Sequence, residues 1–150
     1  MAIRGVLHVG LTVADADRSL AFYRDNFGFE LLSERVAERG WVEAAVGLAN
    51  LRLRIVHLHG HGYNLELLEY ESPRGATRAR GFNDAGSAHL CFVSDDIDAD
   101  VERLLAGGAA GINETQTVVG GPNDGGRMTY LRDPDGNAVE LHQLARPWPV

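Results

Sequence analysis

Lysine is absent from this 150-residue chain, and all fourteen basic residues are arginine. Schiff-base chemistry on a lysine is therefore excluded. Cysteine is almost absent too. Cys91 stands alone, which rules out an intrachain disulfide and suits a reducing compartment. No stretch approaches the ~20 apolar residues of a bilayer span, and the N-terminal segment lacks a signal-peptide apolar region. The expected location is the cytoplasm, with no membrane partner. Positive charge is in the minority: the formal net charge of −7 argues against nucleic acid as a partner. What remains is ordinary for a globular domain, with 45% hydrophobic and 23% charged residues. The length suits one domain, or two small halves sharing a core.

The most informative stretch is Asp133-Pro134-Asp135-Gly136-Asn137, followed by Ala138-Val139-Glu140-Leu141-His142. Pro134 presets φ, Gly136 accepts positive φ, and the aspartates can bond nearby backbone, so a turn is expected. The residues after it alternate as a strand, with Val139 and Leu141 on one face and Ala138, Glu140 and His142 on the other. A carboxylate in the middle of an apolar strand needs a solvated face, a partner or a metal.

The rest of the chain reads as two copies of one unit. Residues 6–13 form a strand with His8 on its polar face. Asp15 or Asp17 caps a helix carrying Leu20, Phe22, Tyr23 and Phe27, and Gly28 stops it. A second strand starts at Phe29, is interrupted, and resumes as Trp41-Val42-Glu43-Ala44-Ala45-Val46. Strands over 50–59 and 63–70 complete β-α-β-β-β. Residues 72–87, rich in Gly, Pro, Arg and Asn, form a connector. The pattern then restarts with a strand over 88–94, a helix capped by Asp95 or Asp96 and ended by Gly107-Gly108, a short strand near 111–117, another over 128–132, and the final strand. The modules span about 5–71 and 88–144 of a single 1–150 domain.

The repeat places polar residues equivalently. His8 and His89 occupy the two first strands, and Glu66 and Glu140 the two last ones. Each is flanked by apolar neighbours on the opposite face. If the sheets curve around a common cleft, two imidazoles and two carboxylates form a first shell for one divalent ion: Zn, Mn, Co, Ni or Fe.

Other polar and glycine-rich positions have plainer readings. His57, His59 and His61 share a face, but their position at a strand end beside glycines points to a solvated turn. Glu69 faces away from Glu66 and reads as a surface residue. His142 shares the face of Glu140 one strand step on, as a residue behind the ligands. Cys91, on the face of His89, reads as a small buried hydrophobe. Gly120 to Gly126 is either a lid or a long hairpin loop.

In this order the motifs His8-Val9-Gly10-Leu11-Thr12-Val13, Phe22-Tyr23 with Phe27-Gly28, Glu66-Leu67-Leu68-Glu69, Ala88-His89-Leu90 with Asp95-Asp96-Ile97, and Asp133-Pro134-Asp135-Gly136 with Val139-Glu140-Leu141 resemble the vicinal oxygen chelate (VOC) superfamily. That superfamily includes glyoxalase I, methylmalonyl-CoA epimerase, fosfomycin-resistance enzymes, extradiol dioxygenases and bleomycin-binding proteins. The resemblance implies an α+β fold of paired βαβββ modules forming a half-open barrel around a metal site, in a homodimer. It implies a metal held by His8, Glu66, His89 and Glu140. Bleomycin-binding proteins lack such ligands. Fosfomycin-resistance enzymes and extradiol dioxygenases use His-His-Glu and need no carboxylate at the place of Glu66. Glyoxalase I resembles the chain at all four positions.

Methylmalonyl-CoA epimerases add a glutamate in the second or third strand as one of two bases, and Gly40-Trp41-Val42-Glu43 looks like that segment. The implied activity is proton abstraction beside a carbonyl by a metal-dependent epimerase or isomerase through a metal-stabilised enediolate, with Glu43, Glu140 and Glu66 as catalytic carboxylates. The substrate is a small ketone of the cyclitol (2-epi-5-epi-valiolone) type or an acyl-CoA. Arg74, Arg78 and Arg80 form the one dense basic patch that a CoA would use. The alternatives are a glyoxalase I-type lactoylglutathione lyase and a non-catalytic metal-bearing binding or resistance protein.

Overall fold

A computed structural model describes residues 2–77 and 81–148. By its contacts the chain divides into two compact units, residues 1–77 and 78–150. Two arginines of the connector, Arg78 and Arg80, lie outside the described residues.

In the first unit, β1 (Val9–Val13) is followed by α1 (Ala16–Phe27), β2 (Glu30–Glu38), α2 (Trp41–Val46), β3 (Arg52–Gly60) and β4 (Tyr63–Ser72). The sheet order is β1-β4-β3-β2, with β1 parallel to β4 and the other pairs antiparallel. α1 begins where expected: the Asp15 carboxylate accepts the Arg18 N–H at 3.0 Å, and Gly28 ends the helix in the left-handed region. Strand parity divides the sheet. Val56 and Leu58 of β3 and Leu65 and Leu67 of β4 are buried on one face, and Glu69 of that face reaches the first turn of α1. The other face carries Leu53 and Ile55, packed with Ala37, Val42, Leu51, Leu68 and Tyr70. His57 and Glu66 continue this second face by alternation.

Residues 41–46 form a short helix rather than the expected strand. Gly40 and Gly47 bound it at positive φ, and one buried side chain, Val42, suffices to dock a helix where a strand would need alternate residues. The interruption expected in the second strand is a register shift between Leu31 and Ser33. Glu69 is not a surface residue. It is 8% exposed, its Oε2 accepts the Ala16 N–H at 3.0 Å, and Arg54 and Arg74 lie 3.8 and 3.6 Å away. A carboxylate there satisfies an orphan donor at a helix N-terminus, with two guanidinium groups offsetting its burial.

In the second unit, β5 (His89–Val93) leads to α3 (Ile97–Ala106), β6 (Ala110–Gly111), β7 (Gln116–Thr117), β8 (Arg127–Arg132) and β9 (Ala138–Gln143). The order is β5-β9-β8-β6, with β7 also paired to β8 and β5 parallel to β9. Asp96 caps α3 by accepting the Ala99 N–H. The single strand expected near 111–117 is two short ones.

The turn before β9 forms as its residues require. Asp133 Oδ1 accepts the N–H groups of Asp135 and Asn137 at 2.9 and 2.7 Å, and Oδ2 accepts the Asn137 amide at 2.9 Å. Gly136 takes φ 86°. Both sheets are open, and neither closes into a barrel. The fold is mixed α+β with few helices, and no helix among the described residues is long and apolar enough to cross a membrane.

Candidate functional site

The parallel pairing of first and last strands sets each histidine beside its carboxylate. In the first unit Gly10, two positions beyond His8, is the register partner of Glu66. In the second, Cys91, two positions beyond His89, is the partner of Glu140. The same offset in both copies brings His8 Nε2 to 3.2 Å from Glu66 Oε2, and His89 Nε2 to 2.9 Å from Glu140 Oε2. His8 lies just ahead of β1, which begins at Val9, three residues later than the strand expected over 6–13. Glu140 is 8% exposed, and Glu66 is partly buried.

Each carboxylate also meets a second imidazole on its other oxygen. In the first unit this is His57, whose Nε2 lies 3.1 Å from Glu66 Oε1 and whose Nδ1 meets Ser33 Oγ at 3.2 Å. In the second it is His142, with Nε2 2.9 Å from Glu140 Oε1. His57 is thus not part of a solvated turn. It sits within β3 as the direct partner of Glu66, because the strand runs on to Gly60. His8, His57 and Glu66 are close enough to share one ion, as are Cys91, Glu140 and His142. Parity along β3 places His57, but only the β3–β4 register shows that it meets Glu66.

The other two histidines of that cluster go elsewhere. His59 Nδ1 bonds Asn64 Oδ1 at 2.8 Å, and His61 Nε2 donates to the Phe27 carbonyl at 2.6 Å.

Two further groups adjoin Glu140. Tyr130 is its register partner on β8, and burial together with the Glu140 carboxylate pushes the phenol up to about 12. Its ring meets His89 edge-on, with centroids 5.5 Å apart. Cys91 is exposed rather than a buried hydrophobe. Partial desolvation of the sulfur and then the charge of Glu140 push its thiol up to about 12.

Glu43 sits on α2, which packs through Val42 onto the sheet face that bears Glu66. Its Oε1 accepts the Leu51 N–H at 3.1 Å. The glycine-rich segment between β7 and β8 is a closed hairpin loop. Val118 and Gly126 bond across it, and Arg146 donates to the Pro122 and Gly121 carbonyls. Arg74 is engaged with the Ala14 carbonyl and near Glu69, which gives it a structural task within the first unit.

Two repeated α+β units, each with a histidine at its first strand and a carboxylate on its last, define a class of protein. The family model described as the Glyoxalase/Bleomycin resistance protein/Dioxygenase superfamily matches residues 5–141, and the chain belongs to that superfamily. It is 32% identical over 145 residues to a 2-epi-5-epi-valiolone epimerase of Actinomyces sp, covering 93% of this chain and 79% of the relative. It is 30% identical over 142 residues to a probable lactoylglutathione lyase of Vibrio parahaemolyticus, covering 92% and 89%. The crystal structure of a glyoxalase family protein from Bacillus cereus superposes with a TM-score of 0.80 at 24% identity, covering 96% and 98%, and shows the same fold. The relatives thus include enzymes of the epimerase and lyase kinds.

Proposed function

We propose that the protein is a divalent-metal-dependent epimerase that moves a proton beside the carbonyl of a small polyol ketone. The observation that carries this reading is the repeated register offset, which gives each unit one imidazole nitrogen and one carboxylate oxygen within 2.9–3.2 Å of each other. Such donors, neutral nitrogen and anionic oxygen, fit Zn, Mn, Co, Ni or Fe. In this reading His8, Glu66, His89 and Glu140 together hold one ion. When bound, the ion supplies a Lewis acid for the substrate carbonyl oxygen.

The remaining work falls to the chain. Leu53, Ile55 and Leu68 form an apolar surface on the sheet face that bears Glu66. An epimerase must act on both faces of a planar intermediate. Glu140 serves one face in this reading and Glu43 the other. The Leu51 N–H holds one oxygen of Glu43, which fixes the carboxylate without consuming its second oxygen. The likeness to a valiolone epimerase supports a cyclitol-type ketone. Arg74, tied to Ala14 and Glu69, offers less to a CoA phosphate than its place in the sequence implies.

Lactoylglutathione lyase chemistry is the second reading, favoured by the Vibrio relative, and it needs one base instead of two. The deciding experiment incubates the metal-loaded protein in D₂O with a cyclitol ketone, and separately with the methylglyoxal–glutathione hemithioacetal, followed by NMR. Epimerisation with deuterium entering beside the ketone is expected. Conversion of the hemithioacetal alone would establish the lyase instead. Tight binding of either compound without exchange would make the protein a binding module.

A further inference from the structure

The glycine-rich hairpin loop carries Asn123, which is 3% exposed and reaches β9 from outside the sheet. Its bonds fix its orientation. The Ala145 N–H must donate, and it does so to Asn123 Oδ1 at 3.0 Å. The Asn123 NH₂ therefore faces the Gln143 carbonyl at 3.5 Å and His142 Nδ1 at 3.0 Å. An NH₂ group offers only protons, so His142 Nδ1 is the acceptor, and the ring proton sits on Nε2. That Nε2–H points at Glu140 Oε1, 2.9 Å away. Trp148 meets the same ring edge-on, at 6.3 Å between centroids.

Gly126 makes room for this arrangement. A Cβ there would collide with the Oδ1 and Nδ2 atoms of Asn123. The loop glycine is thus required by a buried amide.

We propose that His142 is a positioning residue for Glu140, held as the Nε2–H tautomer by Asn123 of the glycine-rich loop. Both ring nitrogens are committed, one as acceptor and one as donor, so His142 is not itself a ligand. Glu140 keeps Oε2 for the ion and its neighbour His89, while Oε1 is held by His142. A donor behind a ligating carboxylate fixes its orientation, and loss of such a partner typically costs 10- to 100-fold in metal affinity. The inference rests on the metal reading above and adds a residue to it.

The test combines two measurements on the full chain. Long-range ¹H–¹⁵N correlation of ¹⁵N-histidine-labelled protein, with His142→Gln used to assign the ring, reads the tautomer without metal. Zinc affinity by chelator competition is then compared among wild type, His142→Leu, His142→Gln and Glu140→Gln. Expected are an Nε2–H ring, a loss of about 10- to 100-fold in His142→Leu, and near-wild-type affinity in His142→Gln, whose amide N–H replaces the donor. An Nδ1–H ring in the wild type would overturn the proposal. So would wild-type affinity in His142→Leu when Glu140→Gln has lost it. Unchanged affinity in Glu140→Gln would overturn the metal reading itself, and this role with it.

Discussion

His57 lies directly opposite Glu66 across the β3–β4 pair, with Nε2 3.1 Å from Oε1. In the second unit the place opposite Glu140 belongs to Tyr130. The repeat therefore preserves a polar neighbour for the carboxylate while changing its chemistry. The second unit recovers an imidazole from another direction, through His142 on the same strand as Glu140. Each carboxylate thus lies between two imidazole nitrogens, with one on either oxygen. The donor set suits a divalent ion.

The first prediction concerns that ion. Protein purified without chelator should contain about one divalent metal per site by elemental analysis, and His8→Ala with His89→Ala should lose it. The His57 and His142 rings remain in that double variant and would hold metal if they were the true ligands. Metal retained tightly after both replacements would refute the tetrad.

Glu69 gives a stability prediction. Glu69→Ala leaves the fully buried Ala16 N–H without its acceptor and removes a carboxylate from beside Arg54 and Arg74, which keep their bonds to Asp17, Glu34 and the Ala14 carbonyl. Loss of about 2–3 kcal/mol is expected, as for an unsatisfied buried donor with a broken charged bond. Urea unfolding reads it directly. Glu71→Ala, on the same strand but more exposed, is the control and should change stability little.

Most of the fold is legible in the sequence because its signals are local. Asp15 before α1, Asp96 before α3 and the Asp133-Pro134-Asp135-Gly136 turn each act within a few residues of themselves. The histidine–carboxylate pairs are legible for a different reason: two copies of one pattern report each other. Residues 41–46 mislead because a short, mostly apolar run such as Trp41-Val42-Glu43-Ala44-Ala45-Val46 suits a strand or a helix equally, and here it is a helix bounded by Gly40 and Gly47 with Val42 buried. The contacts of His57 and Asn123 are out of reach. Their partners are fixed by strand register and by a loop folding back on β9, and neither leaves a mark in the intervening sequence. Glu69 passes for a surface residue because parity gives a face but not what covers that face.

Acid should weaken the fold in a defined window. Hydrogen bonds from Arg54, and then its charge, hold the Asp17 carboxyl below its ordinary 3.8, and the Arg127 hydrogen bond does the same for Asp98. A carboxyl depressed in the folded state contributes stability that is complete above the unfolded value and is lost as pH falls through the folded one. The melting temperature should therefore hold steady down to about pH 4 with respect to these groups and decline below it. Both pairs are exposed, so their share is small and salt-sensitive. Asp17→Asn with Asp98→Asn should flatten part of that decline. An unchanged acid limb in the double variant would show that other carboxylates set it.

Glu43 provides the sharpest test of epimerase chemistry, because its two oxygens separate structure from catalysis. Oε1 accepts the Leu51 N–H, and α2 docks on the sheet face of Glu66. In Glu43→Gln the amide oxygen still accepts that N–H, so the helix, the fold and the metal content should stay as in the wild type. What is lost is a group able to take up and return a proton. Turnover should fall by about 10²–10⁴-fold, the usual size for losing general-base help. Glu43→Ala removes the acceptor as well and should also lower stability by about 1 kcal/mol. With two proton carriers, the Gln variant should exchange deuterium into one epimer much faster than into the other. Wild-type turnover of both epimers by Glu43→Gln would leave Glu43 as an anchor for Leu51 alone, and one-base lyase chemistry would become the better account of the site.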